Sequence, residues 1–270
     1  MVPDAVSADG RSSSDGALGG GFSVSDGRAM AQRAIFAPLS GAGRTDAVIQ
    51  RITEAIRLGL MSEGEQLPSE SELAGMLGVS TVTLREALAA LRQQGLVETR
   101  RGRRGGSFVK RPASPAPALL RARLLALSAT ALRDLGDEHV AVSGTAALLA
   151  ASRASSDNIA RMRLLIDQLR TARSLGARAS ADSRFHIEVA IASQSERLTR
   201  AEAALQAEVG DLLWHVLGPD RVPARIDADH RRLVDAIVGE DEAEARLLAE
   251  RHVAANVRLL VDAHLELIDS

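Results

Sequence analysis

The chain has 270 residues, which is enough for two domains of ordinary size. Of these residues 46% are hydrophobic but only 2% are aromatic, so the cores are built mainly from Leu, Ala, Val and Ile, which favours helices. The formal net charge of −2 hides an asymmetry, because residues 44–111 carry 11 basic against 8 acidic residues while the remainder is acidic, which suggests that one module faces a polyanion. The absence of cysteine excludes disulfide bonds, thiolate metal sites and cysteine nucleophiles.

Residues 1–43 are predicted to form a disordered N-terminal tail. They are rich in Gly, Ser, Ala and Asp and have no sustained periodicity, so they cannot bury enough apolar surface to offset the entropy of ordering. They also lack the basic stretch and apolar core of a secretory signal. Since no apolar run in the chain approaches the ~20 residues that cross a bilayer, we expect a cytoplasmic protein without a membrane partner.

Three helices are predicted after the tail. The first spans residues 44–61, where apolar residues recur at helical spacing. Ser69 and, three residues later, Glu72 form a capping box that starts the second helix. Gly78 ends that helix, and Ser80 can cap the third. Two helices joined by a glycine-containing turn are typical of a helix-turn-helix, in which the later helix enters the major groove of DNA, although an ordinary helical hairpin shows the same features.

A two-stranded wing is predicted after the third helix. Residues 96–99 and 107–110 suit short strands, and between them lies RRGRRGG, residues 100–106. Its glycines let the backbone approach a phosphate or enter a narrow groove, and its arginines supply charge and paired hydrogen bonds. The alternative is a solvated loop that is basic by chance. Directly after a helix-turn-helix, such a tip predicts a DNA-binding wing, and hence a winged helix-turn-helix domain over residues 44–111.

This region resembles the winged helix-turn-helix of GntR-family bacterial transcription regulators. The resemblance is carried by LPSESELA, by GVSTVTLREALAALRQQGLVE and by the glycine-rich wing that ends in SFV. It implies that DNA is contacted by the turn, by the N-terminal end of the recognition helix and by the wing. The implied residues are Ser69, Ser80, Thr81, Thr83, Arg85, Arg100, Arg101, Arg103, Arg104, Gly105 and Gly106. Many family members carry Arg where this chain has Ser71 and Thr81, so the resemblance implies the docking mode and leaves the operator sequence open.

Residues 112–118, which contain three prolines, are predicted to link this domain to a second one. Residues 119–270 show helical periodicity without strand-like alternation, so the fold class is mainly α: a winged helix-turn-helix joined to a bundle of about seven helices. The helices are placed near 116–127, 129–153, 156–173, 179–194, 197–217, 222–239 and 241–267, with breaks at 174–178, 217–220 and 239–242.

Four polar residues of the predicted bundle could form a metal site. Asp182 and His186 are four residues apart, so they share a helix face, and His230 and His252 lie on two later helices. Three imidazoles and a carboxylate can converge on a divalent ion such as zinc, nickel or manganese. Each of these residues taken alone is more commonly a satisfied polar side chain, and His215 is interpreted as such a structural residue.

The bundle is similar to the FCD-type ligand-binding domain of the FadR subgroup of that family, through ADSRFHIEVAIAS, DHRRLVDAI and AEARLLAERHV. The resemblance implies that the four residues bind a divalent ion, zinc before nickel or manganese, and that the ion keeps open positions for a carboxylate-bearing metabolite. Many members place Arg and, four residues later, Glu where this chain has His139 and Ser143, and that Arg meets the effector. His139 is therefore the predicted effector-binding residue, with a charge that depends on pH.

These features predict a homodimeric transcription regulator and not an enzyme. It would be a repressor that reads a palindromic double-stranded DNA operator and responds to a small carboxylate effector. One alternative is a metal-responsive regulator in which the ion itself is the signal. The other is a helical metalloenzyme, since a metal with open positions could activate water, but the sequence supplies no obvious general base.

Overall fold

The computed structural model describes residues 36–39, 43–102, 105–110, 116–216, 218 and 226–269. Within these residues, the predicted mainly helical fold is confirmed. The head consists of α1 (Arg44–Arg57), α2 (Glu70–Leu77), α3 (Thr81–Gln93), β1 (Val97–Arg100) and β2 (Gly106–Val109). The bundle consists of α4 (Pro117–Ala126), α5 (Ala129–Arg153), α6 (Ser156–Thr171), α7 (Leu175–Ala192), α8 (Glu196–Asp211), a π-helical turn (Leu212–Val216), α9 (Ile226–Val238) and α10 (Glu242–Ile268).

The ends of α2 and α3 follow the predicted caps. The Ser69 hydroxyl accepts a hydrogen bond from the Glu72 amide at 3.3 Å, and the Glu72 carboxylate accepts one from the Ser69 amide at 2.9 Å, which completes the capping box. Gly78 ends α2 in the left-handed region, at φ 65°, which glycine adopts without strain. The Ser80 hydroxyl accepts from the Thr83 amide at 3.0 Å and caps α3. The chain bends by 105° between the two helices, as in a helix-turn-helix.

The head has its own apolar core, formed by α1, α2, α3 and the strands. Phe36 is 1% exposed within this core, and the Leu39 amide donates to the carbonyl oxygen of Leu77 at 2.9 Å. The disorder predicted for residues 1–43 is therefore wrong for these first described residues, because a buried aromatic ring holds the segment against the head. Residues 1–35 lie outside the described part of the chain.

β1 and β2 form the predicted wing. They pair antiparallel, with Arg100 opposite Gly106, and their ends differ from the predicted strands by one residue. A Cβ atom on Gly105 would lie 2.6 Å from the Arg100 carbonyl oxygen, so this tight turn requires glycine. Arg103 and Arg104, at the predicted tip, lie outside the described residues.

The bundle is organised around α7. Nearly all of its residues from 179 to 192 are buried, because α5, α6 and α8 cover it. The two longest helices, α5 and α10, pack along each other at close range. A Cβ atom on Gly136 would lie 2.6 Å from a methyl group of Val257, so glycine permits that approach.

Among the helix boundaries that differ from the prediction, two lie four residues away from it. α1 ends four residues earlier, at the turn where Gly59 has φ 70°. α7 begins at Leu175, inside the predicted break at 174–178, because the Ser174 hydroxyl accepts a hydrogen bond from the Ala177 amide at 3.2 Å and caps the helix. The glycine in this stretch lies in the first turn of the capped helix, where it is tolerated.

α4 begins at Pro117, so the last two residues of the predicted linker 112–118 are helical. Proline suits the first turn of a helix, where its missing N–H costs no hydrogen bond. Residues 111–115 lie outside the described part, as does most of the predicted break at 217–220. No single helix among the described residues is long and apolar enough to cross a membrane, although the bent pair α2 and α3 would pass by length and composition.

Candidate metal centre and DNA-contacting surface

The structure brings together the four side chains that the sequence predicts as metal ligands. Asp182 and His186 project from α7, His230 from α9 and His252 from α10, and one ligand atom from each lies within 4.8 Å of the others. The Nε2 atoms of His230 and His252 are 3.3 Å apart. Asp182 Oδ1 lies 3.5 Å from His230 Nε2 and 4.0 Å from His186 Nε2. All four residues are buried, with exposed fractions between 1% and 6%.

These donor atoms fit a divalent metal ion. Zinc binds imidazole nitrogen and carboxylate oxygen at about 2.0–2.2 Å, which places tetrahedral ligand atoms about 3.4 Å from one another. The separations of 3.3 to 4.0 Å are close to that spacing. Asp182 Oδ1 is also buried without a hydrogen-bond partner among the described residues. A bound cation would compensate for the desolvation of this oxygen.

Burial also sets the protonation of the centre. Burial, with nearby His252 as a second cause, lowers the pKa of His186 to about 3, and burial lowers the pKa of His230 well below its usual value. Neutral imidazole is the form that binds metal ions. Burial raises the pKa of Asp182, while His252 and a hydrogen bond from Trp214 oppose that rise. A cation in the centre would favour the ionised carboxylate.

A hydrogen bond from a neighbouring side chain orients one of the four donors, and a carboxylate lies beside another. Trp214 Nε1 donates to Asp182 Oδ2 at 2.9 Å, which leaves Oδ1 toward the histidines. Trp214 lies on the π-helical turn, and such turns are frequent at functional sites. His252 Nδ1 is 3.6 Å from Asp229 Oδ2, so a carboxylate lies beside the outer edge of this ring, beyond hydrogen-bond distance. The side chain of His215, beside this tryptophan, lies outside the described part of the chain.

A second polar group, the Glu202 cluster, consists of Glu202, His139, Ser143 and Gln206. Glu202 is 1% exposed, and its Oε1 accepts from Gln206 at 3.0 Å and lies 3.2 Å from His139 Nε2. Its Oε2 accepts from the Ser143 hydroxyl at 2.7 Å. Burial acts to raise the pKa of Glu202, but His139 and the hydrogen bonds outweigh it and lower that pKa to about 2. The rings of His139 and His186 are 6.5 Å apart, so the cluster borders the metal centre.

The helices that carry these two clusters also contact the head. Leu58, at the C-terminus of α1, is 5% exposed because it packs against Ile187 on α7. The Ser180 hydroxyl donates to the Leu58 carbonyl oxygen at 3.4 Å. α8 contributes Ala203 and Ala207 to the same apolar cluster. α7 therefore faces the candidate metal centre on one side and the head on another, and α8 lies in the same way between the Glu202 cluster and the head.

The predicted DNA-contacting residues of α3 lie at its N-terminal end. Thr81 and Arg85 are exposed, and Thr83 is half-buried. The Ser80 hydroxyl is engaged in the helix cap. Arg85 Nε lies 2.6 Å from Glu70 Oε2, so the guanidinium rests beside α2.

The wing places further predicted residues next to α2. Ser69, Gly105 and Gly106 line one groove of about 630 Å³. The Arg100 guanidinium lies over an aromatic ring of β2, 4.2 Å from its centre, and Arg101 is exposed. The described part of the wing thus places Gly105 and Gly106 near the N-terminus of α2.

Glu202 and Trp214 are not among the residues predicted to be functional. Glu202 lies in a helix rich in alanine and glutamate, where charged residues usually form a solvated face, and its one signal is the four-residue spacing to Gln206. Trp214 carries a clearer signal, because it is the single tryptophan of the chain.

Comparison with known proteins identifies both domains. The family model "Bacterial regulatory proteins, gntR family" matches residues 44–109, and the model "FCD domain" matches residues 122–255. The HTH-type transcriptional regulator RmpR of Mycobacterium gastri is 42% identical over 238 residues, which cover 87% of each protein. The Glc operon transcriptional activator of Escherichia coli K12 is 26% identical over 82% of this chain and 90% of that protein. A solved GntR family regulator of Pseudomonas syringae aligns with 91% of this chain and 97% of that one, at 19% identity and a TM-score of 0.45.

Proposed function

We propose that a divalent metal centre controls operator binding in this chain, which belongs to the GntR family of bacterial transcription regulators. The chain has the FadR-like arrangement of a DNA-binding head followed by an FCD domain, and the metal centre would lie in the FCD domain. The relatives described above are transcription regulators and not enzymes. The observation that carries the proposal is the buried set of one carboxylate and three imidazoles within 4.8 Å of one another.

The chemistry of the donor set favours zinc, with nickel or manganese as further candidates. Asp182, His186, His230 and His252 would hold the ion. Imidazole nitrogen suits these metals, and three of the four donors are imidazoles. When bound, the ion supplies open coordination positions to which a carboxylate can bind.

A small carboxylate-bearing metabolite is the proposed effector, and His139 borders the place where it would bind. The Glu202 carboxylate accepts from Ser143 and Gln206 and lies 3.2 Å from His139 Nε2. Glu202 therefore already engages the hydrogen-bonding groups that a second carboxylate of the ligand would need. A ligand with a single carboxylate fits this arrangement better than a dicarboxylate.

DNA binding is proposed to place α3 in the major groove with the wing beside it. The chain would act in the bacterial cytoplasm as a homodimer, whose two-fold symmetry suits a palindromic operator. Repression relieved by the effector is the proposed outcome. The Escherichia coli relative is an activator by its name. Transcription in vitro from a promoter that contains the operator, with and without protein, distinguishes repression from activation.

A second candidate function is a metal-responsive regulator in which the ion itself is the signal. The exposed fractions of the four donors, between 1% and 6%, favour it because such burial limits access for an organic ligand. In this version, binding of the ion would by itself shift the balance between arrangements of the head.

Operator affinity in three states separates these functions. The states are protein stripped with a chelator, protein reloaded with zinc, and zinc-loaded protein with a series of mono- and dicarboxylates. For a metabolite regulator, we expect zinc alone to change affinity little and one monocarboxylate to change it by about fivefold or more. A full response to zinc alone supports the metal-responsive regulator. If neither addition changes the affinity, both functions are wrong.

His186→Ala tests the ligand assignment. We expect wild-type protein to bind about one zinc ion per chain and the variant to lose it, while the variant remains folded and still binds DNA. His264→Ala is the matched control, since His264 is also buried but its Nδ1 lies 3.2 Å from the Leu124 carbonyl oxygen, away from the centre. A His186→Ala variant that keeps its metal contradicts the assignment.

A further inference from the structure

Val82 is the exposed large hydrophobic residue of the head. It is 62% exposed, and every other exposed large hydrophobic side chain among the described residues belongs to the bundle. It is the second residue of α3, between Thr81 and Thr83. The opposite face of α3 packs its leucines into the head core, so Val82 projects from the face that the docking mode turns toward DNA.

The charged side chains that share a helix face with Val82 are engaged in contacts with α1 and α2. Arg85 and Glu86, three and four residues later, share its helix face. Arg85 pairs with Glu70 on α2, and Glu86 accepts a hydrogen bond from the Thr45 hydroxyl on α1 at 3.3 Å. The two methyl groups of Val82 are therefore an accessible apolar surface at the tip of the recognition helix.

We infer that Val82 packs against the C5-methyl group of a thymine in the major groove of the operator. Thymine is the base that presents a methyl group in that groove, and an apolar side chain is its complement. A β-branched side chain suits such a contact because its rotamer in a helix is nearly fixed. The inference rests on the proposed docking of α3, and it adds a base preference: a thymine at the position that Val82 faces.

Replacement of thymine by deoxyuridine tests this contact, because it removes only the methyl group. The probe is a duplex selected from random sequences by the full-length wild-type protein, with its thymines replaced one at a time. We expect one position per recognition helix at which the replacement weakens wild-type binding by about fourfold, the factor for one buried methyl group. Val82→Ala should bind the thymine duplex more weakly and be less sensitive to uracil at that position.

Val238→Ala is the matched control, since Val238 is also an exposed valine, at 45%, but lies on α9. It should keep the wild-type sensitivity to uracil. The inference is wrong if wild-type protein is insensitive to uracil at every position, or if Val82→Ala retains the full sensitivity. Because the Val82 side chain is exposed, we expect its replacement to leave thermal unfolding unchanged.

Arg85→Ala separates this inference from the docking mode on which it rests. We expect Arg85→Ala to weaken operator binding. If it does so while Val82→Ala has no effect, α3 docks as proposed and the inference about Val82 is wrong. If both variants bind like the wild type, the docking of α3 is itself wrong.

Discussion

His186 and Ile187 are neighbours in the chain, yet one faces the candidate metal centre and the other the head. His186 Nε2 lies 4.0 Å from Asp182 Oδ1, whereas Ile187 packs against Leu58 at the end of α1. Successive residues of an α-helix project about 100° apart, so a single helix can serve both sites. A small rotation of α7 that adjusts the metal ligands must therefore move Ile187 against the head, which gives a physical route for coupling.

Leu58→Ala should weaken this coupling while leaving the metal centre intact. The substitution removes the apolar side chain on which Ile187 rests, and truncation of a buried leucine costs about 2–5 kcal/mol in a core. We expect unchanged zinc content, a lower free energy of unfolding in urea, and a smaller effect of ligand on operator affinity. Leu164→Ala, at a leucine that is 55% exposed on α6, is the control. A full ligand response in Leu58→Ala would exclude this route.

Trp214→Phe should lower the affinity for zinc by about 10–100-fold, because it removes the hydrogen bond that orients the Asp182 carboxylate. Competition with a chromogenic chelator measures this affinity. Ser180→Ala is a suitable control, since it removes a hydrogen bond from α7 on the side of the head. Equal zinc affinities in the two variants would show that the tryptophan does not orient the ligand.

Glu202→Gln should change the dependence of stability on pH in metal-free protein. The folded-state pKa of Glu202 is lowered to about 2 from a usual value of 4.5, so below pH 4.5 the unfolded chain takes up a proton that the folded chain does not. This carboxylate therefore stabilises the fold above pH 4.5, and that contribution is lost as the pH falls toward 2.

Urea unfolding from neutral pH down to about 3, with a chelator present, measures this difference. The wild type should lose stability more steeply than Glu202→Gln as the pH falls, by at most about 1.4 kcal/mol per pH unit. Parallel pH profiles would mean that Glu202 is not more acidic in the folded protein than in the unfolded chain.

Gly210→Ala should destabilise the contact between α7 and α8. A Cβ atom at this position would collide with the Ser183 hydroxyl, and forced overpacking of this kind costs about 1–3 kcal/mol. Ser183→Ala removes the colliding oxygen, so the double variant should recover part of the loss. The free energies of unfolding of the two single variants and the double variant form a thermodynamic cycle. Strictly additive effects would contradict the predicted collision.

Local signals were sufficient to predict the elements of this fold, because helix caps and hydrophobic periodicity depend only on residues that are close together in the chain. Ser69 with Glu72 predicted the start of α2, and the four-residue spacing of Asp182 and His186 predicted their shared face. The start of α7 was misplaced because the cap that Ser174 provides lies inside the predicted break at 174–178.

The remaining features depend on contacts between distant parts of the chain. Glu202 meets His139 across 63 residues, and its four-residue spacing to Gln206 is too weak a signal to separate it from the solvent-facing glutamates of the same helix. Phe36 lies in a short segment without periodicity, and only the core against which it packs makes it ordered. Trp214 reaches Asp182 from a π-helical turn, which hydrophobic periodicity does not predict.

The placement of Glu202 beside Ala203 repeats on α8 the arrangement of His186 and Ile187 on α7. One residue of each pair belongs to the polar interior, and its neighbour belongs to the contact with the head. In a genetic selection for an altered response to the effector, some mutants should lose effector binding and others should become constitutive. The two kinds of mutation should therefore map to adjacent codons. After gene duplication, the residues of these helices that face the polar interior could change to bind a new ligand, while the residues that contact the head stayed the same.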